Sequence, residues 1–416
     1  MKILWITNIL FPAVCEAMGL KAPVTGGWMY SSAKALLKAD PSIQLAVATV
    51  YNGDTLEKKV IDNIAYYMIP LKGSNIDYHK ELESFWCKVN EDIQPDLAHL
   101  HGTELAHGLA FLNACPQVKS VVSIQGLVSV IARYYHAGIA KRKILKNITF
   151  REIVRFDNLF QQKTTFYKRG LVEKEIIRKS NHVIGRTSWD KAHCLAINPN
   201  IQYHFCNETL RSEFYKHTWS YDNCQKHTLF LSQAGYPIKG LHKVIEALPF
   251  ILSKYPDTKV YVAGNDITAS KNWRQQIRCS GYGKYIKSLL HKLNVEDKIC
   301  FTGLLNEEQI CERYLKSNLF VCPSSIENSP NSLGEAQLLG VPCLASYVGG
   351  VPDMMKGAEE NMYRFEEVEM LAMKVCEIFK LEDKVDIEEL KLEALRRHDQ
   401  KENARQLSAI YNKIFK

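Results

Sequence analysis

Glu327 and Glu335 are separated by seven residues, of which Asn328-Ser329-Pro330-Asn331-Ser332 are the first five. The apolar run Leu319-Phe320-Val321-Cys322 ahead of them reads as a buried strand, which Pro323 and two serines break. A helix is expected from near Asn331, an amide residue of the N-cap type, through Leu338-Leu339 to Gly340. Pro342 prevents its continuation, and a second short strand, 343–346, leads to Gly349-Gly350. Strand, loop, helix, strand and glycine turn make a parallel α/β unit, which binds ligands beyond the carboxyl ends of its strands. At that edge the free amides of Asn331, Ser332 and Leu333 and the helix dipole favour an anion. Glu335, one turn in, can accept two hydroxyl donors of the kind a ribose offers. Glu327, on the loop, faces whatever the anion carries. Either glutamate alone would pass for a solvated or dipole-satisfying acid; spacing and context together make the pair a candidate site.

The elements that position this stretch fill an ordinary two-domain α/β chain. The 416 residues suffice for two cores, and 46% apolar with 24% charged residues is a soluble globular composition. Twelve scattered cysteines without a C-x-x-C exclude a zinc ribbon and a disulfide framework, which points to a reducing compartment. The apolar start MKILWITNILFPAV lacks a small-residue cleavage site and reads as a first strand, and no run is long enough to span a bilayer. The expected location is cytoplasmic, or peripheral on the cytoplasmic face of a membrane.

Strands are expected at 2–7, 44–50, 64–70, 97–100, 120–124 and 182–185, with helices between most of them. Two strand ends carry polar groups at the ligand edge: His101 and Glu104 at one, Gln125 at the other. Thr25-Gly26-Gly27-Trp28 opens a helix, and glycines at such a turn let backbone approach a phosphate. A second domain opens with the strand at 227–232. A lysine, Lys239, precedes Gly240 at the next helix start, and alone it would be an ordinary surface residue. Residues 133–179 hold thirteen Lys or Arg against four Asp or Glu, a net of +9 that exceeds the +8 of the whole chain. Aromatic residues are interleaved with these charges. The stretch is either a solvated helical face with its aromatics in the core or a surface for an anionic partner, an acidic membrane or a lipid diphosphate. Nucleic acid is not indicated, because no recognition motif accompanies the charge.

Glu-x7-Glu after a Pro-Ser strand end, followed by Gly-Val-Pro and Gly-Gly-Val-Pro-Asp, resembles the donor site of family 4 glycosyltransferases. The resemblance implies a GT-B fold, two Rossmann-like domains facing across a cleft, with the final helix crossing back to the first. The expected boundaries are 1–222 for an acceptor domain, 223–395 for a nucleotide-sugar domain and 396–416 for that helix. It further implies a retaining, metal-independent hexosyltransferase of bacterial polysaccharide biosynthesis, using no cofactor beyond its nucleotide-sugar donor. The acceptor would be a glycan or a lipid-diphosphate-linked one. Gly26, Gly27, Lys239, Gly303, Glu327, Asn331, Ser332, Leu333 and Glu335 would hold the donor, with Glu327 and Lys239 catalytic. His101, Glu104 and Gln125 fall on the acceptor side. Two positions depart from the family: Gln125 stands where histidine is frequent, and Ala234 replaces an arginine five residues before Lys239. No Asp-x-Asp occurs, so Lys239 and helix amides would stabilise the leaving diphosphate, at roughly 3–4 kcal/mol each. Two rival readings are a nucleotide-sugar 2-epimerase of the same fold and a non-catalytic GT-B binding protein.

Overall fold

A computed structural model of the chain describes residues 1–20, 27–269, 279–384 and 387–416. Contacts divide it into two units. The first is Met1–Val130, Phe166–Arg211 and Arg397–Lys416; the second is Ile131–Thr165 and Ser212–Arg396. This division differs from the boundaries expected above, because residues 131–165 are counted with the second unit. The reason is local anchoring: His242 Nε2 lies 2.9 Å from the Ala137 carbonyl, and the buried Glu152 accepts from Gly281 N at 2.7 Å.

Unit 1 is built on eight strands: β1 (Lys2–Ile6), β2 (Gln44–Tyr51), β3 (Glu57–Ile61), β4 (Ile64–Pro70), β5 (Leu97–His101), β6 (Ser120–Ser123), β7 (His182–Gly185) and β8 (Gln202–Phe205). Their order is β3-β4-β2-β1-β5-β6-β7-β8, parallel except for the β3–β4 pair. β1 shows why a parallel sheet forms here. Its residues from Ile3 to Ile6 are buried without alternation, as a strand covered on both faces requires. The period of two then sorts them, Leu4 and Ile6 into one apolar cluster, Ile3 and Trp5 into the other. The helix Gln400–Phe415 adds Leu407, Ile410, Tyr411 and Ile414 to that second cluster, and Trp5 Nε1 donates to the Tyr411 hydroxyl at 2.9 Å.

Unit 2 holds β9 (Gln225–Leu231), β10 (Lys259–Val262), β11 (Ile299–Phe301), β12 (Ser317–Cys322), β13 (Cys343–Ser346) and β14 (Met362–Tyr363). All are parallel, in the order β11-β10-β9-β12-β13-β14. Strand order reverses between β9 and β12, and in unit 1 between β1 and β5. A doubly wound sheet opens a ligand crevice at such a reversal, because the flanking helices leave on opposite faces there. Among the described residues no helix is long and apolar enough to cross a membrane. All twelve cysteines are free thiols.

Candidate active site

In unit 2 the two loops that leave the reversal point carry Lys239 and Glu327. After β9 the chain makes a tight turn over Pro237–Lys239 and enters the helix Leu241–Lys254 through Gly240, at φ +73°. A Cβ on Gly240 would lie 1.7 Å from the Pro323 carbonyl oxygen, so only glycine lets the β12 loop seat against this turn. Ser325 N then donates to the Ile238 carbonyl at 2.8 Å and ties the two loops together. Ser346 at the end of β13 donates from its hydroxyl to the Ser324 carbonyl at 2.5 Å.

Held this way, Lys239 Nζ reaches Glu327 Oε1 at 2.6 Å, and the Ser324 hydroxyl donates to the same oxygen at 2.7 Å. Both partners are largely buried, with 20% and 14% of their side-chain surface exposed. Burial opposes the charge on Lys239, but the Glu327 carboxylate beside it outweighs that and holds the ammonium above its usual range. The Glu327 backbone is fixed as well. Its carbonyl accepts from Gly350 N at 3.0 Å, and a Cβ on Gly349 (φ +52°) would fall 1.9 Å from that oxygen. The Gly-Gly-Val-Pro-Asp turn therefore clamps the glutamate loop. Cys322, next to the pair, is no nucleophile, since burial pushes its thiol up to about 12.

The helix Asn331–Leu339 starts immediately beyond this loop and ends on Gly340 at φ +79°. Its N-cap is Pro330, not Asn331, and no side chain caps it. The correction has a physical cause: Pro330 has the extended backbone (φ −68°, ψ 117°) a cap needs, while Asn331 is already helical. Leu333 N donates to the Pro330 carbonyl at 3.0 Å, which engages one of the three amides assigned to the anion. Asn331 and Ser332 are the first two helical residues, whose amides have no partner within the helix. Glu335 is 4% exposed, one turn into a helix whose residues from Leu333 to Leu339 are all buried. Gly303 lies on the other side of β9, past β11; its amide is occupied by the Gly264 carbonyl at 3.1 Å. Ala234 is buried on the loop after β9.

In unit 1 the reversal point brings Glu104 to Asn8, whose side-chain amide donates to Oε2 at 3.1 Å. Burial raises the Glu104 carboxyl, against the hydrogen bonds and the Arg169 charge that favour its ionised form. Gly102, at φ +102°, leaves room for that carboxylate. His101 is 3% exposed and stacks on His99 at 3.8 Å and Trp5 at 4.3 Å; neither of its ring nitrogens has a hydrogen-bond partner among the described residues. Burial lowers it to about 3, so the ring is neutral. It lines a small cavity with Trp28, His99, Ser123, Arg186 and Glu208. The Gln125 carbonyl accepts from Arg186 Nη2 at 2.9 Å. Gly27 is the first residue of the helix Gly27–Ala39, and Gly26 lies outside the described residues.

Sequence reasoning assigned no chemistry to Arg186 and Glu208, which form a buried 2.5 Å ion pair at the same sheet edge. It also passed over Glu173. That buried carboxyl accepts from Val128 N (2.8 Å), Ser129 N (2.9 Å) and the Thr103 hydroxyl (3.1 Å), and fixes the chain after Gln125. Neither Arg186 nor Glu208 has a local sequence signal, because an arginine after a strand and an acid in a loop are ordinary residue types until the fold pairs them.

Residues 219–407 match the family described as Glycosyl transferases group 1. An uncharacterised glycosyltransferase of Methanocaldococcus jannaschii is 29% identical over 132 residues, 32% of this chain and 30% of that protein. The chain spans less than half the length of the curated relatives it matches. Along its whole length it is similar to the solved sucrose-phosphate synthase of Thermosynechococcus elongatus (TM-score 0.66, 15% identity, 100% of this chain and 99% of that one). Anabaena HepE in complex with UDP and glucose gives a TM-score of 0.64 at 15% identity, over 99% of both chains. The fold is that of the GT-B glycosyltransferases. The matches support placing the chain in that superfamily.

Proposed function

We propose that the chain is a family 4 retaining glycosyltransferase. It moves a hexose from a nucleotide-sugar donor to a glycan or lipid-linked acceptor without a divalent metal. The observation that carries this reading is the buried Lys239–Glu327 pair at the strand-order reversal, beside a helix N-terminus that no side chain caps. Lys239 and the amides of Asn331 and Ser332 offer positive charge to a leaving nucleoside diphosphate. Glu327 supports the positive charge that develops at the anomeric carbon, and Glu335 receives ribose hydroxyls. The UDP and glucose of the similar Anabaena protein support a nucleotide-sugar donor here. His101, Glu104 and Gln125 are assigned to the acceptor, His101 because both of its buried nitrogens lack a partner that a hydroxyl would supply.

The test is a screen of nucleotide sugars for thermal stabilisation of the full chain, followed by turnover in excess chelator and NMR of the anomeric product. Retained configuration and activity with chelator are expected. A strict Mg²⁺ or Mn²⁺ requirement, or inversion, would refute the metal-free retaining account. Epimer formed from donor without acceptor would favour the epimerase reading. Ala234 favours a non-catalytic protein, for which the screen would show binding without turnover.

A further inference from the structure

The segment 141–156 presents an outer face of uniform character. Its ten exposed residues are either cationic (Lys141, Arg142, Lys143, Lys146, Arg155) or large and apolar (Leu145, Phe150, Ile153, Val154, Phe156). Phe150 is 78% and Phe156 75% exposed, and with Leu145, Ile153 and Val154 they put five exposed large apolar side chains within twelve residues, a patch rather than scattered single residues. Phe150, Ile153 and Val154 fall at positions i, i+3 and i+4 of the helix Phe150–Arg155, one stripe of its surface. Phe156 closes that helix at φ +52°, a conformation bulky residues avoid, and its ring is left exposed there.

This face is held rigidly. Glu152 is 1% exposed and works on the inner side, where it completes a capping box with Thr149 and accepts from Gly281 N at 2.7 Å. Ile144 and Asn147 are buried beside it, and Arg151 forms an ion pair with Asp157 at 2.8 Å. The one acidic residue of 141–156 is thus consumed inside, which leaves the outer surface without negative charge. Rings and aliphatic side chains among lysines and arginines are the chemistry that inserts at the headgroup boundary of an anionic bilayer.

We propose that residues 141–156 form a docking surface for an anionic lipid bilayer. Charge complementarity selects this occupant: a second copy of the chain would set five cations against the same five. The proposal rests on exposure and charge alone and does not depend on the donor-site reading.

The test is co-sedimentation of the full chain with phosphatidylcholine vesicles, with and without phosphatidylglycerol. Binding is expected only to the anionic vesicles, and weaker at high salt. Phe150→Ser with Phe156→Ser lowers the partition coefficient about ten-fold or more without shifting the melting temperature, since both rings already face solvent. Lys141→Glu with Lys146→Glu abolishes the preference for phosphatidylglycerol. Absence of binding to anionic vesicles, or binding that both variants leave unchanged, overturns the proposal. So does a wild-type dimer in sedimentation velocity that the phenylalanine variant converts to monomer, for the face would then belong to a second copy.

Discussion

Lys239 Nζ and Glu327 Oε1, 2.6 Å apart, come from loops 88 positions distant in sequence that meet where the strand order of the second sheet reverses. The pair explains how a cation and an acid can wait in a largely buried site before a ligand arrives. Each neutralises the other, and in the proposed mechanism a diphosphate that draws Lys239 to itself would free Glu327 to face the sugar. Breaking such a pair from one side strands a charge, which costs up to about 3–5 kcal/mol, whereas replacing both partners is often neutral. Lys239→Met is therefore expected to lower the melting temperature, and Lys239→Met combined with Glu327→Gln to restore much of it. Neither variant is expected to show turnover, because the proposed reaction needs both charges. A thermal-shift series beside a transfer assay checks both halves.

Glu327→Ala is expected to cost about a hundred-fold or more in kcat, the scale of losing one preorganised electrostatic group. The nucleotide product should still bind, since Glu327 is assigned to the sugar. Calorimetry with nucleoside diphosphate separates the two: near wild-type turnover removes Glu327 from the chemistry, and loss of nucleotide binding moves it to the diphosphate.

Much of this site was legible because its signals are local. The Gly349-Gly350 turn, the Pro-Asn step into the helix and Gly240 after Lys239 each fix backbone within a few residues of the group they position. Most of each sheet was legible too, from apolar runs such as β1, but the edge strands β3, β8 and β14 were not, being short or carrying polar residues. What could not be read are contacts between distant positions. Glu152 with Gly281 and Arg186 with Glu208 are pairings of ordinary residue types that only the folded chain brings together. The same holds for the grouping of 131–165 with the second unit. Pro330 as the cap was missed for a different reason: Asn331 has the better capping side chain, but the backbone is still extended at Pro330 (ψ 117°) and already helical at Asn331, and no side chain marks that change.

Two sets of buried groups set the pH dependence of stability with opposite signs, the carboxyls Glu173 and Glu104 in one and the histidines in the other. Burial raises Glu173 to about 7, so the folded state holds a proton that the unfolded chain releases above about 4.5. Its contribution therefore turns unfavourable as pH rises from 4.5 to 7, by about 3 kcal/mol. Burial lowers His101 to about 3 and His107, His242 and His398 to about 4, so acid protonates the unfolded chain first. Their contribution is complete above about 6.5 and is lost as pH falls below it. The four histidines outnumber the two carboxyls Glu173 and Glu104, and net stability should rise from pH 4 to 6.5. Urea melts across that range should show Glu173→Gln with the steeper rise, because an opposing glutamate has gone.

Gly349→Ala should behave unlike an ordinary loop substitution. The position is left-handed, and the new Cβ would meet the Glu327 carbonyl at 1.9 Å, so either the loop moves or the turn opens. Donor KM is expected to rise with a loss of about 1–3 kcal/mol in stability. At Gly235, where nothing lies within 4 Å and φ is not left-handed, alanine should leave stability near wild type. The contrast between the two alanines in one donor titration is the check.

Arg133→Ala addresses what Ala234 leaves open. The Tyr134 carbonyl accepts from the Ser325 hydroxyl at 3.3 Å, which puts the exposed Arg133 beside the loop whose next residue back, Ser324, bonds Glu327. A guanidinium on that segment could serve the diphosphate in place of the missing arginine. If it does, alanine should raise donor KM about ten-fold, the scale of one charged hydrogen bond, and lysine should recover part of it. The melting temperature should not move, because the side chain is exposed. Unchanged affinity in both variants would leave the leaving group to Lys239 and the helix amides alone, and the kcat of Lys239→Met should then fall further than one of two cations would account for.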